Sequence, residues 1–146
     1  MEKKYLSEMA LAEEFLKSAK YSLDFSMRTS ANRLYFALEK AVVSYVLFKG
    51  NEVSKNHQKI WELSSNLLGE EYYSVLRELY DLRMQADYGR ISVFLELSLE
   101  VLKNKLVKVE SLINNIRLRL KDDAPNEKDG KNNKIEGKGR VGSDGK

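Results

Sequence analysis

The stretch LELSLEVLKNKLVKVESLINNIRLRL, residues 95–120, decides the fold. Its apolar residues recur in alternating steps of four and three without a break: Leu95, Leu99, Leu102, Leu106, Val109, Ile113, Ile116 and Leu120. This spacing keeps one side of an α-helix apolar from end to end. The pattern predicts a long helix that is packed along its whole length, with Ser92 as its N-cap.

The chain before residue 92 also follows a helical period and predicts four more helices. Three of them are expected at about residues 4–22, 29–49 and 70–88. The first of these carries the stripe Met9, Ala12, Leu16, Ala19 and Leu23. The fourth is a short helix, capped by Ser54, that bears Ile60, Leu63 and Leu67. Glycines stand where three of the helices should end: Gly50, Gly69 and Gly89.

No segment has the pattern of a strand, because β-branched residues are scattered and no Asn-Gly or Asp-Gly turn separates alternating runs. The predicted fold is therefore all-α, an antiparallel bundle of four main helices plus one short helix. The long apolar stripe of residues 95–120 leaves two arrangements open. It could serve a second copy of the chain in a homodimer, or it could make that helix the central member of the bundle.

Composition divides the chain into a helical domain, residues 1–120, and a charged tail, residues 121–146. The tail holds the only proline and five of the eight glycines, so we expect it to be disordered. There is no cysteine, which excludes disulfides and thiolate chemistry, and no apolar run is long enough to span a membrane. The net charge of +3 is too small to indicate nucleic-acid binding by itself. A cytoplasmic location fits these features.

Common catalytic motifs are missing from the sequence. It has no phosphate-binding loop, no dinucleotide-binding glycine motif and no zinc-protease motif, so we expect no cofactor. The acidic residues follow solvated helix faces, and we expect no metal site. The chain has one histidine, His57, which most schemes of acid–base catalysis would have to use.

Arg83 breaks the apolar stripe of the helix at residues 70–88. An arginine that faces a core needs a carboxylate, carbonyl or phosphate partner. Asp87 lies one turn later, which predicts an i,i+4 ion pair. The functional alternative is that Arg83, Asp87 and the Tyr88 phenol converge at the helix end and bind an anion such as an RNA or nucleotide phosphate.

Three further polar side chains stand close to apolar stripes. Arg33 and Tyr35 lie in SANRLYFALEK, where the neighbouring Phe36 is expected in the core, and a buried Tyr35 hydroxyl would need a partner. His57 lies in SKNHQK, in the first turn of the short helix. A surface or capping role for His57 is the simpler interpretation, and a catalytic role is the alternative.

Together these segments resemble the HEPN domain family. ANRLYFALEKAVVSYVLFKG is similar to the family's S-R-x-Y-Y-A helix that ends in K-G, SKNHQKIWEL to its S/T-x-x-H or T-H segment, and LRMQADYGR to its R-x-x-A-D-Y-G helix end. The resemblance implies a bundle of about five helices that is commonly dimeric. It also implies pairing with a minimal nucleotidyltransferase, often as a toxin–antitoxin couple.

Many members of that family are metal-independent ribonucleases with an R-x(4–6)-H motif. Arg83 matches the motif's arginine, but Tyr88 stands at the fifth position after it and no histidine follows. The favoured function is therefore a dimeric binding subunit, with Arg33, Tyr35, Arg83, Asp87 and Tyr88 forming a groove for a nucleotide or RNA. The alternative is a ribonuclease toxin in which Arg83 stabilises charge and His57 or Tyr88 handles protons.

Overall fold

The computed structural model describes residues 3–91 and 95–122, which form an all-α bundle. Within that part of the chain the helices are α1 (Lys4–Ser22), α2 (Met27–Phe48), α3 (His57–Leu68), α4 (Glu70–Tyr88) and α5 (Leu99–Asp122). The predicted fold class is confirmed, and the predicted bounds of α1 and α4 are correct. Of the helices described, none is long and apolar enough to cross a bilayer.

α2 is the central helix of the bundle, because α1, α3, α4 and α5 all pack against it. Its fully buried side chains include Leu34, Leu38 and Val42. The helix begins at Met27, two residues before the predicted start, since the Ser26 side chain accepts a hydrogen bond from the backbone N–H of Thr29 and caps it. The centre of the bundle is therefore α2 and not α5.

The apolar stripe of α5 is buried within the single chain from Leu102 onward, whereas Leu99 at its start is 44 % exposed. Leu102, Val109, Ile113 and Ile116 are 0 % exposed, and Leu106 and Leu120 are 8 % exposed. The helices of the same chain thus cover the stripe from Leu102 to Leu120. α5 also includes the first two residues of the predicted tail, and residues 123–146 lie outside the described residues.

The prediction that the last helix begins near Ser92 is wrong. Ser92 itself lies outside the described residues, and α5 begins at Leu99, where the Ser98 hydroxyl accepts from the backbone N–H of Val101 at 3.1 Å. The cause lies in α4. Gln85 Nε2 donates to the Leu95 carbonyl at 2.6 Å, and Gln85 Oε1 accepts from the Leu97 N–H at 2.9 Å. Because these backbone groups bond to Gln85, the segment stays outside the helix.

The cap predicted for α3 is also wrong. Asn56 is the N-cap, because its side chain accepts from the backbone N–H of Lys59 at 3.1 Å. The Ser54 hydroxyl accepts instead from the N–H of Asn56 at 2.9 Å and so stabilises the turn that leads into the helix. Both residues are good caps, and only two residues separate the two choices.

Gly69 allows α4 to follow α3 directly. Its backbone conformation predicts that a substitution there destabilises the fold. Its φ of 123° and ψ of 158° lie in a region that is essentially reserved for glycine. We expect Gly69→Ala to lower the free energy of unfolding by about 1–3 kcal/mol through backbone strain. The space around it is open, so no clash contributes. Urea unfolding followed by Trp61 fluorescence measures the loss.

The matched control is Gly89→Asn. Gly89 ends α4 in the left-handed region, with φ 67° and ψ 26°, which asparagine also adopts. We expect this variant to stay within roughly 1 kcal/mol of the wild type. If Gly69→Ala were as stable as Gly89→Asn, strain at the α3–α4 junction would not limit the fold.

Candidate functional site

A chain of hydrogen bonds joins the first half of α2 to the end of α4. Arg83 Nε donates to Asp87 Oδ2 at 3.3 Å, which confirms the predicted i,i+4 ion pair. Asn32 Nδ2 donates to the same oxygen at 3.0 Å. Arg33 Nη1 in turn donates to Asn32 Oδ1 at 2.7 Å. Arg33 and Arg83 are therefore connected through Asn32 and Asp87, and we call these four residues the arginine site.

Arg83 fits into an apolar stripe because aromatic rings surround its guanidinium. The guanidinium carbon lies 4.7 Å from the ring centre of Phe36, 5.6 Å from that of Tyr80 and 5.8 Å from that of Tyr35. Planar guanidinium groups stack well on aromatic faces and are only weakly hydrated. The side chain is 16 % exposed, so Arg83 is held in place while part of it stays open to solvent.

A shallow cavity of about 250 Å³ opens beside the arginine site. It is lined by Arg28, Thr29, Asn32, Arg33 and Asp87. The Arg28 side chain also donates to the carbonyl of Ala86, which fixes the start of α2 against the end of α4. Of the described residues that line this cavity, Asp87 is the one carboxylate, and Arg83 already pairs with it. The surface therefore carries an excess of positive charge.

Tyr88 is the last residue of α4 and directly follows Asp87 in the chain. Its side chain is 65 % exposed. The ring is thus accessible to solvent at the end of α4. Its surroundings do not resemble those of a buried catalytic phenol.

Tyr35 belongs to a second, buried polar cluster. Its hydroxyl donates to Glu39 Oε2 at 2.5 Å and accepts from Trp61 Nε1 at 3.1 Å. His57 Nδ1 lies 2.5 Å from the same Glu39 oxygen and 3.1 Å from the Tyr35 hydroxyl. These four residues form the tyrosine network. The prediction that a buried Tyr35 hydroxyl requires a partner is confirmed.

The prediction that Tyr35 lines an open groove needs correction, because the residue is 0 % exposed. Burial raises the pKa of the Tyr35 phenol far above its usual range, and the Glu39 carboxylate raises it further. The hydrogen bond from Trp61 and the charge of Arg83 act in the opposite direction but are weaker. Tyr35 therefore remains a neutral hydroxyl that orients its neighbours.

His57 lines a different cavity from Arg33 and Asp87. That cavity lies between α1, α2 and the start of α3, measures about 420 Å³ and shares no lining residue with the one beside the arginine site. The imidazole ring nevertheless contacts Tyr80 and Tyr35, at ring-centre distances of 5.4 and 5.7 Å. His57 and Arg83 thus contact the same two rings, but Arg83 does not line the cavity that His57 lines.

The sequence prediction missed four residues that matter here: Arg28, Asn32, Glu39 and Trp61. Each has a signal in the spacing of the helices. Asn32 follows Arg28 by four residues, Glu39 follows Tyr35 by four, and Trp61 follows His57 by four. Residues four apart share a helix face, so these pairs could have been proposed as polar neighbours.

The family model of the HEPN domain matches residues 8–119. The chain belongs to the HEPN domain family. The match spans the described helices except the start of α1 and the last residues of α5. It includes both polar clusters. No curated protein is significantly similar to the chain in sequence.

Within the described part of this HEPN domain, no three histidine or acidic side chains are grouped so that they could hold a metal ion. The ionisable groups are instead arranged in pairs and chains. Arg83 pairs with Asp87 and His57 with Glu39. Both pairs have hydrogen-bonding partners of their own, Asn32 in the first case and Tyr35 in the second.

The tyrosine network predicts the effect of removing one hydroxyl from the HEPN core. Tyr35→Phe leaves the Trp61 indole N–H and the Glu39 carboxylate each short of a buried partner, which should lower the free energy of unfolding by about 1–3 kcal/mol. Tyr21→Phe is the matched control, because Tyr21 is 78 % exposed. Urea unfolding at pH 7 compares the two variants. Equal stability of Tyr35→Phe and Tyr21→Phe would mean that the Tyr35 hydroxyl does not stabilise the fold.

The same variant has a second readout at alkaline pH. In the unfolded chain Tyr35 ionises at about pH 10, whereas burial keeps it protonated in the folded state. The folded state then binds the extra proton, so stability that is present below about pH 10 is lost as the pH rises. Tyr35→Phe should lose less stability than the wild type between about pH 9 and 11. Parallel curves would contradict the assignment.

Proposed function

We propose that this HEPN domain is a binding subunit that pairs with a minimal nucleotidyltransferase in a toxin–antitoxin-like couple. In this proposal the arginine site binds phosphate groups of a nucleotide or RNA. The observation that carries the proposal is the arginine site itself, together with Arg28. Asp87 is the single carboxylate among the described residues that line its cavity. Such an excess of guanidinium groups at a concave surface suits an anionic ligand.

The hydrogen bonds of the site leave donors for a ligand. A guanidinium has five N–H donors in a planar fork, and the contact with Asn32 uses one of those on Arg33. Arg83 uses its Nε on Asp87, and its ring contacts hold the group in one orientation. A pre-oriented guanidinium loses less entropy when it binds, which favours bidentate contact with phosphate.

Tyr88 supports a ligand that carries bases as well as phosphates. Its exposed ring belongs to the residue that follows Asp87, which lines the cavity. Aromatic side chains beside a positively charged groove stack on the bases of single-stranded nucleic acids. The arrangement offers charge for the backbone and one ring for a base.

A ribonuclease is the second candidate, and the His57–Glu39 pair favours it. A carboxylate on one ring nitrogen orients an imidazole for acid–base catalysis. RNA cleavage without a metal needs such a base close to the phosphate. The binding function is preferred because His57 lines a separate cavity from Arg33 and Asp87.

The test combines RNA binding with co-purification. We expect Arg83→Ala to weaken binding of a fluorescein-labelled oligouridylate about tenfold or more, since hydrogen bonds to charged groups contribute about 1.5–3 kcal/mol each. Arg33→Ala should act in the same direction. The same variants, together with Tyr88→Phe, should reduce co-purification with a minimal nucleotidyltransferase encoded beside the gene. Fluorescence anisotropy and affinity capture are the measurements.

Arg77→Ala is the matched control, because it removes an exposed arginine from the same helix, six residues before Arg83 and outside the arginine site. Circular dichroism confirms that each variant folds. Unchanged binding and capture in Arg33→Ala and Arg83→Ala would contradict the binding function. Metal-independent cleavage of the RNA, lost in a folded His57→Gln variant, would establish the ribonuclease instead.

We also propose that the domain is a homodimer that uses the outer face of α5. The buried stripe of α5 is already covered, but Val107 is 70 % and Leu118 56 % exposed. They are eleven residues apart, about three helical turns, and so lie on one face. Val107→Asp with Leu118→Asp should convert the dimer into a monomer in sedimentation velocity.

Leu6→Asp is the control for the dimer, since Leu6 on α1 is also exposed, at 55 %. It should leave the sedimentation coefficient unchanged. A wild-type protein that is monomeric at every concentration would refute the dimer. Dissociation by Leu6→Asp alone would place the interface on α1.

A further inference from the structure

The cavity at His57 has the size and lining of a small-molecule site. Its volume of about 420 Å³ lies within the range of ligand pockets. The apolar part of its lining consists of Val43, Leu47, Val53 and Ile60. The polar part consists of Lys4, Glu8, Glu39, Lys40, Ser54, Lys55 and His57. The lining therefore combines four apolar residues with three lysines.

The two carboxylates that line this cavity already have partners. Glu39 is 5 % exposed and bonds Tyr35 and His57. Glu8 Oε1 lies 3.5 Å from Lys40 Nζ, in an ion pair without a hydrogen bond. Lys4 and Lys55 are exposed, and neither has a carboxylate within ion-pair distance among the described residues. The cavity thus offers two cations to a ligand of opposite charge.

His57 adds a directed polar atom to the site. Its Nδ1 is held by Glu39 and Tyr35, so Nε2 is the ring nitrogen left for a ligand in the cavity. With Nδ1–H directed to Glu39, Nε2 donates to an oxyanion from the doubly protonated ring, in which both ring nitrogens carry hydrogen. The Tyr35 hydroxyl donates to the carboxylate, and the Trp61 indole N–H donates to that hydroxyl.

We propose that this cavity binds a small molecule that carries one compact oxyanion, a carboxylate or a phosphate, on an apolar body. Lys4, Lys55 and His57 Nε2 hold the oxyanion. Val43, Leu47 and Ile60 contact the apolar body. The site is separate from the arginine site and does not depend on the function proposed for it.

The chain provides its own reporters for the test, because it has one histidine and one tryptophan. The full-length protein is titrated with phenyl phosphate and, separately, with benzoate, while NMR follows the ring protons of His57 and the indole N–H of Trp61. Benzyl alcohol is the neutral probe, and inorganic phosphate lacks the apolar body. We expect saturable shifts of the His57 signals with phenyl phosphate or benzoate, and weaker binding of both control probes. The tighter of the two anions identifies the preferred oxyanion.

Lysine variants locate the binding. We expect Lys55→Ala to weaken binding of the tighter probe about three- to fivefold, and the double variant Lys4→Ala with Lys55→Ala to weaken it about tenfold. The reason is that each exposed ion pair contributes up to about 1 kcal/mol. Lys59→Ala is the matched control, because Lys59 is exposed in the first turn of α3, four residues after Lys55, and does not line the cavity. His57→Gln, followed through Trp61, should also weaken binding.

Three results would overturn the proposal. The first is the absence of a saturable shift with either anion. The second is equal affinity of the wild type and the variant with both Lys4→Ala and Lys55→Ala. The third is a shift that Arg33→Ala abolishes while Lys55→Ala leaves it intact, because the probe would then occupy the arginine site. Loss of RNA binding in Arg33→Ala with unchanged probe binding would support two independent sites.

Discussion

The Glu39 carboxylate is buried in the central helix, and a charge in that position must be paired and hydrogen-bonded. Tyr35 supplies a hydroxyl from the same helix, and His57 supplies a ring nitrogen from α3. Trp61 completes the set by donating to the Tyr35 hydroxyl. These contacts determine where the short helix α3 can dock on α2. The position of α3 then determines the shape of the cavity that His57 lines.

The Tyr35 ring connects this network to the arginine site. Its hydroxyl faces Glu39 and His57, and the guanidinium of Arg83 lies over its ring. Tyr80 lies against the same ring and also contacts both His57 and Arg83. The two ionisable pairs are thus separated by aromatic rings. This spacing lets one small core hold a His–Glu pair and an Arg–Asp pair without direct contact between them.

The sequence predicted the helices well because an apolar period of 3.6 residues is a local property. Their ends were predicted less well, because individual side chains decide them. Gln85 holds residues 95–97 outside α5, and Asn56 replaces Ser54 as the cap of α3. Neither choice can be derived from the period alone.

The same distinction explains which parts of the site were predictable. The pair of Arg83 and Asp87 follows from positions four apart on one helix. The contacts of His57 with Glu39 and of Trp61 with Tyr35 span 18 and 26 residues. They depend on how α3 lies across α2, and a pattern read along one helix contains no information on that angle.

Stability alone does not account for the charged groups in this core. Replacing a buried ion pair with well-packed apolar residues is often neutral or stabilising. An apolar residue at position 83 would complete the stripe of α4, and one at position 39 would extend that of α2. Arg83 and His57 instead each belong to a cluster that opens onto its own surface cavity. A bundle built only to be stable needs neither opening, whereas a domain that binds charged ligands needs charges held rigidly at its surface.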